Sequence, residues 1–332
     1  MNNLQKNSKS NFQSSSHEKL WTKPFIALII GVIVLMILSL LTGAYDIFNQ
    51  PDGLQMFFIT RVPRTAALML SSSAMAVAGL VMQMMTQNRF VEPTTTGTVE
   101  WAGLGLLVVY ILIPGPTLLQ RMAGAILFSF VGTMIFFALL QRIKLKSSLI
   151  VPIIGIMLGS VVSAFSTFMG LLFEMTQTIE IWFQGSFASV QVGRYEYLWF
   201  IVITTIIIYW FADKLTIISL GKDVSTNLGV NYNRVLLIGT ALVSFSVGIV
   251  AAVIGNLPFL GLIVPNVVSM IRGDDLRSNL PWVALLGMAT ILSTDIIART
   301  IIAPFEVPVS LILGTLGALV FAIILLRSRR RA

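Results

Sequence analysis

The chain has 332 residues, of which 56% are hydrophobic and 11% are charged, and its mean hydropathy is +0.89. Soluble domains carry about 25% charged residues, so this composition excludes an ordinary soluble protein. Cysteine is absent and His17 is the one histidine, which excludes disulfides, thiol nucleophiles and Cys- or His-based metal sites in the apolar part of the chain. We therefore expect no catalytic site, no bound metal and no cofactor.

Apolar runs of about 18 or more residues recur along the chain, which predicts an all-α polytopic membrane protein. Residues 1–24 are polar and predict a disordered N-terminal tail, whereas residues 25–332 predict one transmembrane domain of about ten helices. The predicted segments, in chain order, are Phe25–Tyr45, Thr65–Met85, Gly97–Ile113, Arg121–Leu140, Ile150–Phe173, Tyr195–Phe211, Val235–Ile254, Phe259–Ile271, Pro281–Thr300 and Val307–Leu326.

Basic residues are distributed unevenly between the loops. All but five of the 22 Lys and Arg residues lie in the N-terminal tail, in alternate loops or at the C-terminus. The five on the opposite side are Arg61, Arg64, Arg121, Arg194 and Arg299. Because cytoplasmic loops of membrane proteins carry the excess of Lys and Arg, both termini are predicted to be cytoplasmic. This topology also explains the net charge of +8 without nucleic-acid binding.

A few charged residues fall within or beside the predicted helices. Asp295 and Arg299 are four residues apart, which places them on one face of a helix. A charge inside a bilayer pairs with another charge or lines a water-filled path, so they are predicted to form an intramembrane charge pair, either neutralising or functional. Glu92 and Glu100, around the start of the third segment, are expected in water or at the lipid head groups, and the sequence leaves the role of Glu100 open.

Catalytic and nucleotide-binding motifs are missing from the sequence. There is no G-x-x-x-x-G-K-[ST], H-E-x-x-H or G-x-S-x-G pattern, and a membrane enzyme is disfavoured because no nucleophile, acid–base pair or metal cluster is evident. The scarcity of acids within the helices argues against an ion-coupled carrier acting alone, but that alternative stays open. If the chain is not an ion-coupled carrier, the energy that drives transport must come from a partner protein.

Short motifs follow one another in a distinctive order from residue 61 to the C-terminus. They are Arg61-Val-Pro-Arg64, then Gln83, Asn88, Pro93 and Gly97, then Leu228-Gly229-Val230 with Arg234, then the run from Gly255 to Pro265, the charged loop from Arg272 to Arg277, the Asp295–Arg299 pair, and Glu306-Val-Pro308 with Gly317. The ordered set resembles the FecCD/BtuC-like family, permease subunits of bacterial ABC importers for iron–siderophore, haem and vitamin B12. Within it the chain is most similar to Gram-positive ferric-siderophore permeases of the catecholate or petrobactin type.

The resemblance implies a multi-pass plasma-membrane protein that is not itself an enzyme. Two permease subunits, either identical copies or paralogues, would form the channel within the membrane lipid. A cytoplasmic ABC ATPase dimer would drive transport, and an extracellular siderophore-binding lipoprotein would deliver the iron chelate. The siderophore itself, and whether the permease is a homodimer or a heterodimer, are not determined by the sequence.

The resemblance also implies roles for individual residues. It implies that Arg61, Arg64 and Arg299 contact the binding protein. Arg61 and Arg64 could instead act as anchors at the membrane interface. The cytoplasmic gate falls to Asn88, Phe90, Ser147 and Ser148. The loop that couples to the ATPase includes Gly221, Leu228, Gly229 and Arg234, and is expected to fold as short helices.

The chain departs from the family pattern at three places. The family commonly reads N-P-L-A where this chain has Asn88-Arg89-Phe90-Val91, and has Pro-His and a later Arg where Asn266 and Ser269 stand here. It often has Gly where Ser310 stands. These departures leave the predicted architecture intact and concern the gate and the substrate.

Overall fold

The computed structural model describes residues 22–43, 45–143 and 149–329, and this part of the chain is helical with short connections. The principal helices are α1 (Lys23–Leu41), α2 (Val62–Thr86), α3 (Thr98–Leu112), α4 (Leu118–Arg142), α5 (Ile150–Leu172), α6 (Thr176–Phe183), α7 (Phe200–Ile218), α8 (Lys222–Asn227), α9 (Tyr232–Val253), α10 (Leu260–Arg272), α11 (Leu276–Thr300) and α12 (Val309–Arg329). A short helix, Gly53–Met56, and a π-helical turn, Phe57–Arg61, run directly into α2.

Within the described residues, seven helical stretches are long and apolar enough to cross a membrane. Three more apolar helices are shorter, namely Thr98–Leu112, Leu260–Arg272 and Val309–Ile323. Each of the ten predicted segments overlaps one of these helices, which confirms an all-α membrane architecture. The count of ten crossings and the side on which the termini lie stay predictions.

Helix α2 forms the centre of the bundle: 89% of the residues in the apolar part of the continuous stretch Gly53–Thr86 are buried, against 17% in that of α1. It contacts α7, α9, α10 and α11. Small residues permit this close packing: a Cβ on Gly79 would lie 2.0 Å from the carbonyl oxygen of Gly261 in α10. In a bilayer, helices associate through such packing rather than through hydrophobicity.

The segment after α2 turns back into the protein. Gln87 has a left-handed backbone (φ 52°) that ends α2, and the following residues 88–97 reach α10 near Gly261. Because Gly261 packs against Gly79, about two turns before the end of α2, this loop lies about 10 Å inside that end. Irregular backbone at such depth is tolerated only where it is buried in protein.

Helix α5 packs on this loop through its glycines. A Cβ on Gly155 would lie 2.1 Å from the carbonyl oxygen of Thr95, and one on Gly159 would lie 3.2 Å from the Cα of Gly97. The contact is one of backbone against backbone, which a side chain at Gly155 or Gly159 would obstruct.

The sixth predicted segment is wrong in its boundaries. Tyr195–Trp199 is a 3₁₀ turn, and α7 begins at Phe200 and continues to Ile218. Tight 3₁₀ turns are common at helix starts and have the same apolar content as the helix that follows, so hydropathy alone does not separate them. Helix α6, a short helix of mixed polarity between two longer ones, was not predicted.

Candidate functional site

Four charged residues form one connected group, here called the arginine cluster: Arg64, Asp295, Arg299 and Glu306. Asp295 is fully buried and lies 2.7 Å from Nη2 of Arg64 and 2.7 Å from Nη2 of Arg299. Nη1 of Arg64 also donates to both carboxylate oxygens of Glu306, at 2.9 Å each. The cluster therefore joins the start of α2, the end of α11 and the connection to α12.

Two of the three arginines predicted to dock the binding protein are buried and donate their hydrogen bonds within the protein. Arg61 and Arg299 are 7% and 8% exposed. Arg61 donates to the carbonyl oxygens of Leu40, Leu41 and Tyr45. Arg299 donates to those of Ser39 and Thr42, at 3.2 and 2.6 Å, and to the Ser39 hydroxyl. Cations suit the negative end of a helix dipole, so both side chains stabilise the C-terminus of α1. Their docking role stays a prediction.

The exposed charges at this end of the bundle are acidic. None of the five arginines predicted on this side is fully exposed, since all lie in described residues and are buried or half-buried. Exposed carboxylates are contributed by Asp46, Asp52, Glu174, Glu180, Glu196 and Glu306. Hydrogen bonds from the Asn49 side chain and from the Phe48 and Asn49 backbone lower the pKa of Asp46, which keeps it ionised. Sequence reasoning missed Glu306 as a partner of Arg64, because 242 residues separate them.

At the other end of α2, the predicted gate residues Asn88 and Phe90 lie in the loop of residues 88–97. Asn88 is buried, and its side-chain oxygen accepts from the backbone N–H of Phe90. The Phe90 ring packs edge-on against Phe321 of α12, with 6.0 Å between the ring centroids. The other two predicted gate residues, Ser147 and Ser148, lie outside the described residues.

Glu92 is the main surprise of this loop. The sequence predicts its charge in water or at the head groups, which is wrong, because the side chain is 0% exposed. Its Oε1 accepts from the backbone N–H of Phe259 at 2.9 Å and from the Thr94 hydroxyl at 2.5 Å. Gly261 and Leu262 also contribute backbone N–H interactions, short of full hydrogen bonds. Glu92 thus caps the N-terminus of α10, where negative charge is favoured.

Glu100 is half-buried, and its predicted depth at the membrane interface stays a prediction. It lies in the first turn of α3. Its Oε2 has no solvent contact and no hydrogen-bond partner in the described part of the chain, and it lies 3.4 Å from the place that a Cβ on Gly159 would take. Within the described ranges, no three His, Cys, Asp or Glu side chains come together as a metal site would require.

The predicted ATPase-coupling loop forms a compact surface feature between α7 and α9. Gly221 and Gly229 flank α8 with φ of 103° and 78°, a region that favours glycine. Leu228 is exposed, as is Arg234 near the start of α9. The hydroxyl of Ser225 donates to the Ile217 carbonyl at 3.0 Å and holds α8 against the end of α7.

Comparison with known proteins agrees with this architecture. The chain is 71% identical to the petrobactin import system permease protein FatD of Bacillus anthracis, over 96% of this chain and 95% of that one. It is 38% identical to the petrobactin import system permease protein YclN of Bacillus subtilis (strain 168), over 92% and 98%. A solved metal-chelate type ABC transporter in an inward-facing conformation has the same fold, with a TM-score of 0.79 at 24% identity over 92% of this chain and 100% of that one. The model of the FecCD transport family matches residues 25–327, and the chain belongs to that family.

Proposed function

We propose that this chain is the permease subunit of a bacterial ABC importer that carries a ferric siderophore across the plasma membrane. The observation that carries the proposal is the 71% identity, along nearly the whole chain, to a petrobactin import permease. A second petrobactin permease at 38% identity supports the same substrate class. Vitamin B12 permeases are similar at only 30 to 31%, so a ferric siderophore is preferred to a corrinoid.

In this proposal the chain crosses the membrane ten times and both termini are cytoplasmic. Residues 1–24 form the cytoplasmic tail and residues 25–332 the transmembrane domain. Support comes from the uneven distribution of basic residues between the loops. Each of the three shorter apolar helices completes its crossing of the membrane with adjoining irregular backbone. The bundle buries this backbone, as it buries the loop of residues 88–97.

Energy comes from a partner in this proposal, since the sequence has no P-loop. A cytoplasmic ABC ATPase dimer binds the surface around α8, and a second permease subunit completes the channel. The exposed side chains of Val224 and Leu228 on this protruding element support the assignment, because a helix inserted in a groove needs apolar anchors. The chain itself is a non-catalytic transport component.

The binding lipoprotein docks at the arginine cluster in this proposal. Arg64 is the best candidate for direct contact, since its side chain is 13% exposed and its partner Glu306 is 33% exposed. Arg61 and Arg299 then shape the surface from beneath. Replacement of Arg64 by Gln should weaken binding of the lipoprotein, whereas replacement of Arg121, which contacts Tyr110 on the same side, should not. Equal binding by both variants would contradict the docking assignment.

The transport test uses a deletion strain and purified components. A strain that lacks this gene should lose growth on ferric petrobactin as iron source and regain it with the wild-type chain. In proteoliposomes, the chain with its ATPase and binding protein should accumulate ferric petrobactin only with ATP. Uptake by the chain alone under an imposed ion gradient would instead favour an ion-coupled carrier, and growth restored on a corrinoid but not on the chelate would favour the vitamin B12 alternative.

A further inference from the structure

The loop of residues 88–93 is tied to α10 by two partly buried polar contacts. Glu92 accepts the N–H of Phe259 at 2.9 Å. Three residues earlier in the chain, next to the predicted gate residue Asn88, the carbonyl oxygen of Arg89 accepts from the Asn266 side chain at 2.7 Å. The first contact holds the beginning of α10, and the second holds its second turn.

The backbone at the beginning of α10 depends on the first of these contacts. Phe259 has a left-handed conformation (φ 63°), which is costly for a residue with a side chain. No side chain of its own segment caps α10, so Glu92 supplies the cap from a different part of the chain. A glycine at 261 leaves room for the carboxylate, since a Cβ there would lie 3.2 Å from Oε2.

At the surface a third contact continues the same connection. Arg89 pairs with Asp274, just beyond the end of α10, with 2.5 Å between Nη2 and Oδ2. The three contacts are therefore spread along the whole length of α10. A loop that contacts a helix at both ends is restrained from pivoting on it.

We propose that Glu92 is a positioning residue which fastens the loop of residues 88–93 to α10, so that gate loop and helix move as one rigid body during transport. During gating, the loop then moves relative to its neighbours other than α10, and α10 moves with it. This inference rests on the proposed transport function and adds the part of the molecule that moves.

A cleavable crosslink tests the rigid body directly, because the chain has no native cysteine. Arg89→Cys and Asp274→Cys, joined by a bifunctional methanethiosulfonate linker, should leave ATP-driven uptake of ferric petrobactin within about twofold of the unlinked protein. A linker-dependent block that a reducing agent reverses would overturn the proposal, since the loop would have to part from α10. This variant leaves Glu92 unchanged and does not depend on the folding of a Glu92 mutant.

Rescue tests Glu92 itself. Glu92→Gln replaces the carboxylate by a neutral amide whose oxygen can still accept from Phe259, and exchange of a charge-assisted hydrogen bond for a neutral one lowers the ratio of fastened to free loop by up to about tenfold. We expect less substrate moved per ATP hydrolysed, and recovery when the Arg89→Cys/Asp274→Cys linker is added. The matched control is a linker between Arg277→Cys and Asp213→Cys, an equally exposed ion pair of 3.0 Å that joins α11 to α7.

Three outcomes of the rescue experiment are distinguishable. Recovery by the first linker and not by the control supports the proposal. Equal recovery by both linkers, or normal coupling in Glu92→Gln, overturns it. Failure of the wild-type importer to move ferric petrobactin at all would instead refute the proposed substrate. In that case the effect of the linker could still be measured on the ATP hydrolysis that the binding protein stimulates.

Discussion

The arginine cluster and the Glu92 loop bury charge in opposite ways. In the cluster, Asp295 is matched by two guanidinium groups within 2.7 Å. In the loop, Glu92 is matched by backbone N–H groups at a helix end and by a threonine hydroxyl. In the cluster, ion pairs join side chains from distant segments of the chain. In the loop, the carboxylate binds backbone N–H groups and so fixes the position of a whole helix.

This difference sets what a substitution should do at each place. Removal of one charge from the cluster leaves its partners buried and uncompensated, which is the costly case for ion pairs. Disturbance of the Glu92 contact leaves dipoles without an acceptor, which costs less. The cluster should therefore dominate stability, and the loop should be more sensitive in transport than in stability.

The largest expected effect is that of Asp295→Ala. Arg64 and Arg299 would then face each other without the carboxylate between them, and we expect a loss of about 3–5 kcal/mol of stability. The measurement is thermal unfolding of the purified chain in nanodiscs. Asp213→Ala is the control, because its ion pair with Arg277 is exposed and such pairs contribute at most about 1 kcal/mol. Similar losses in both variants would contradict the comparison.

Gly261→Ala should have an intermediate effect on the Glu92 side. The added Cβ would lie 2.8 Å from the Met75 carbonyl oxygen and 3.0 Å from the Cα of Gly79, so α10 must shift away from α2. Overpacking of this kind costs about 1–3 kcal/mol, again measured by thermal unfolding in nanodiscs. Gly31→Ala in α1 is the control: a Cβ there meets nothing within 4 Å, and alanine should slightly stabilise that helix. A neutral Gly261→Ala would show that the contact is loose.

The sequence predicted the helices well because their signal is local. Each of the ten segments predicted from apolar runs overlaps an apolar helix of the structure, and in a bilayer the required apolar length depends on the lipid rather than on the neighbouring helices. The sequence also paired Asp295 with Arg299, since four residues on a helix determine which side chains share a face. The structure places these two 2.7 Å apart.

The contacts that shape the candidate site are not local, and the sequence did not predict them. Glu92 contacts Phe259, which is 167 positions away in the sequence, and Arg64 contacts Glu306, which is 242 positions away. A loop that turns back into the bundle has the same polar composition as one that lies in water, so burial of Glu92 left no sign in hydropathy. One departure from the family pattern was a better signal, since the Asn266 side chain that stands there donates to the backbone carbonyl oxygen of Arg89.

The smallest expected effect belongs to this pair. Asn266→Ala removes the side-chain donor to the carbonyl oxygens of Arg89 and Leu262, both 2.7 Å away, and we expect a loss of about 0.5–1.5 kcal/mol of stability. Asn49→Ala, which removes an exposed contact to Asp46, should cost less than that. Because Asn266 and Glu92 fasten the same loop to the same helix, the double variant Asn266→Ala/Glu92→Gln should deviate from the sum of the single effects by about 0.5 kcal/mol or more. Strict additivity in the same unfolding assay would mean that the two contacts act separately, and that the loop is held at two independent points rather than as one body with α10.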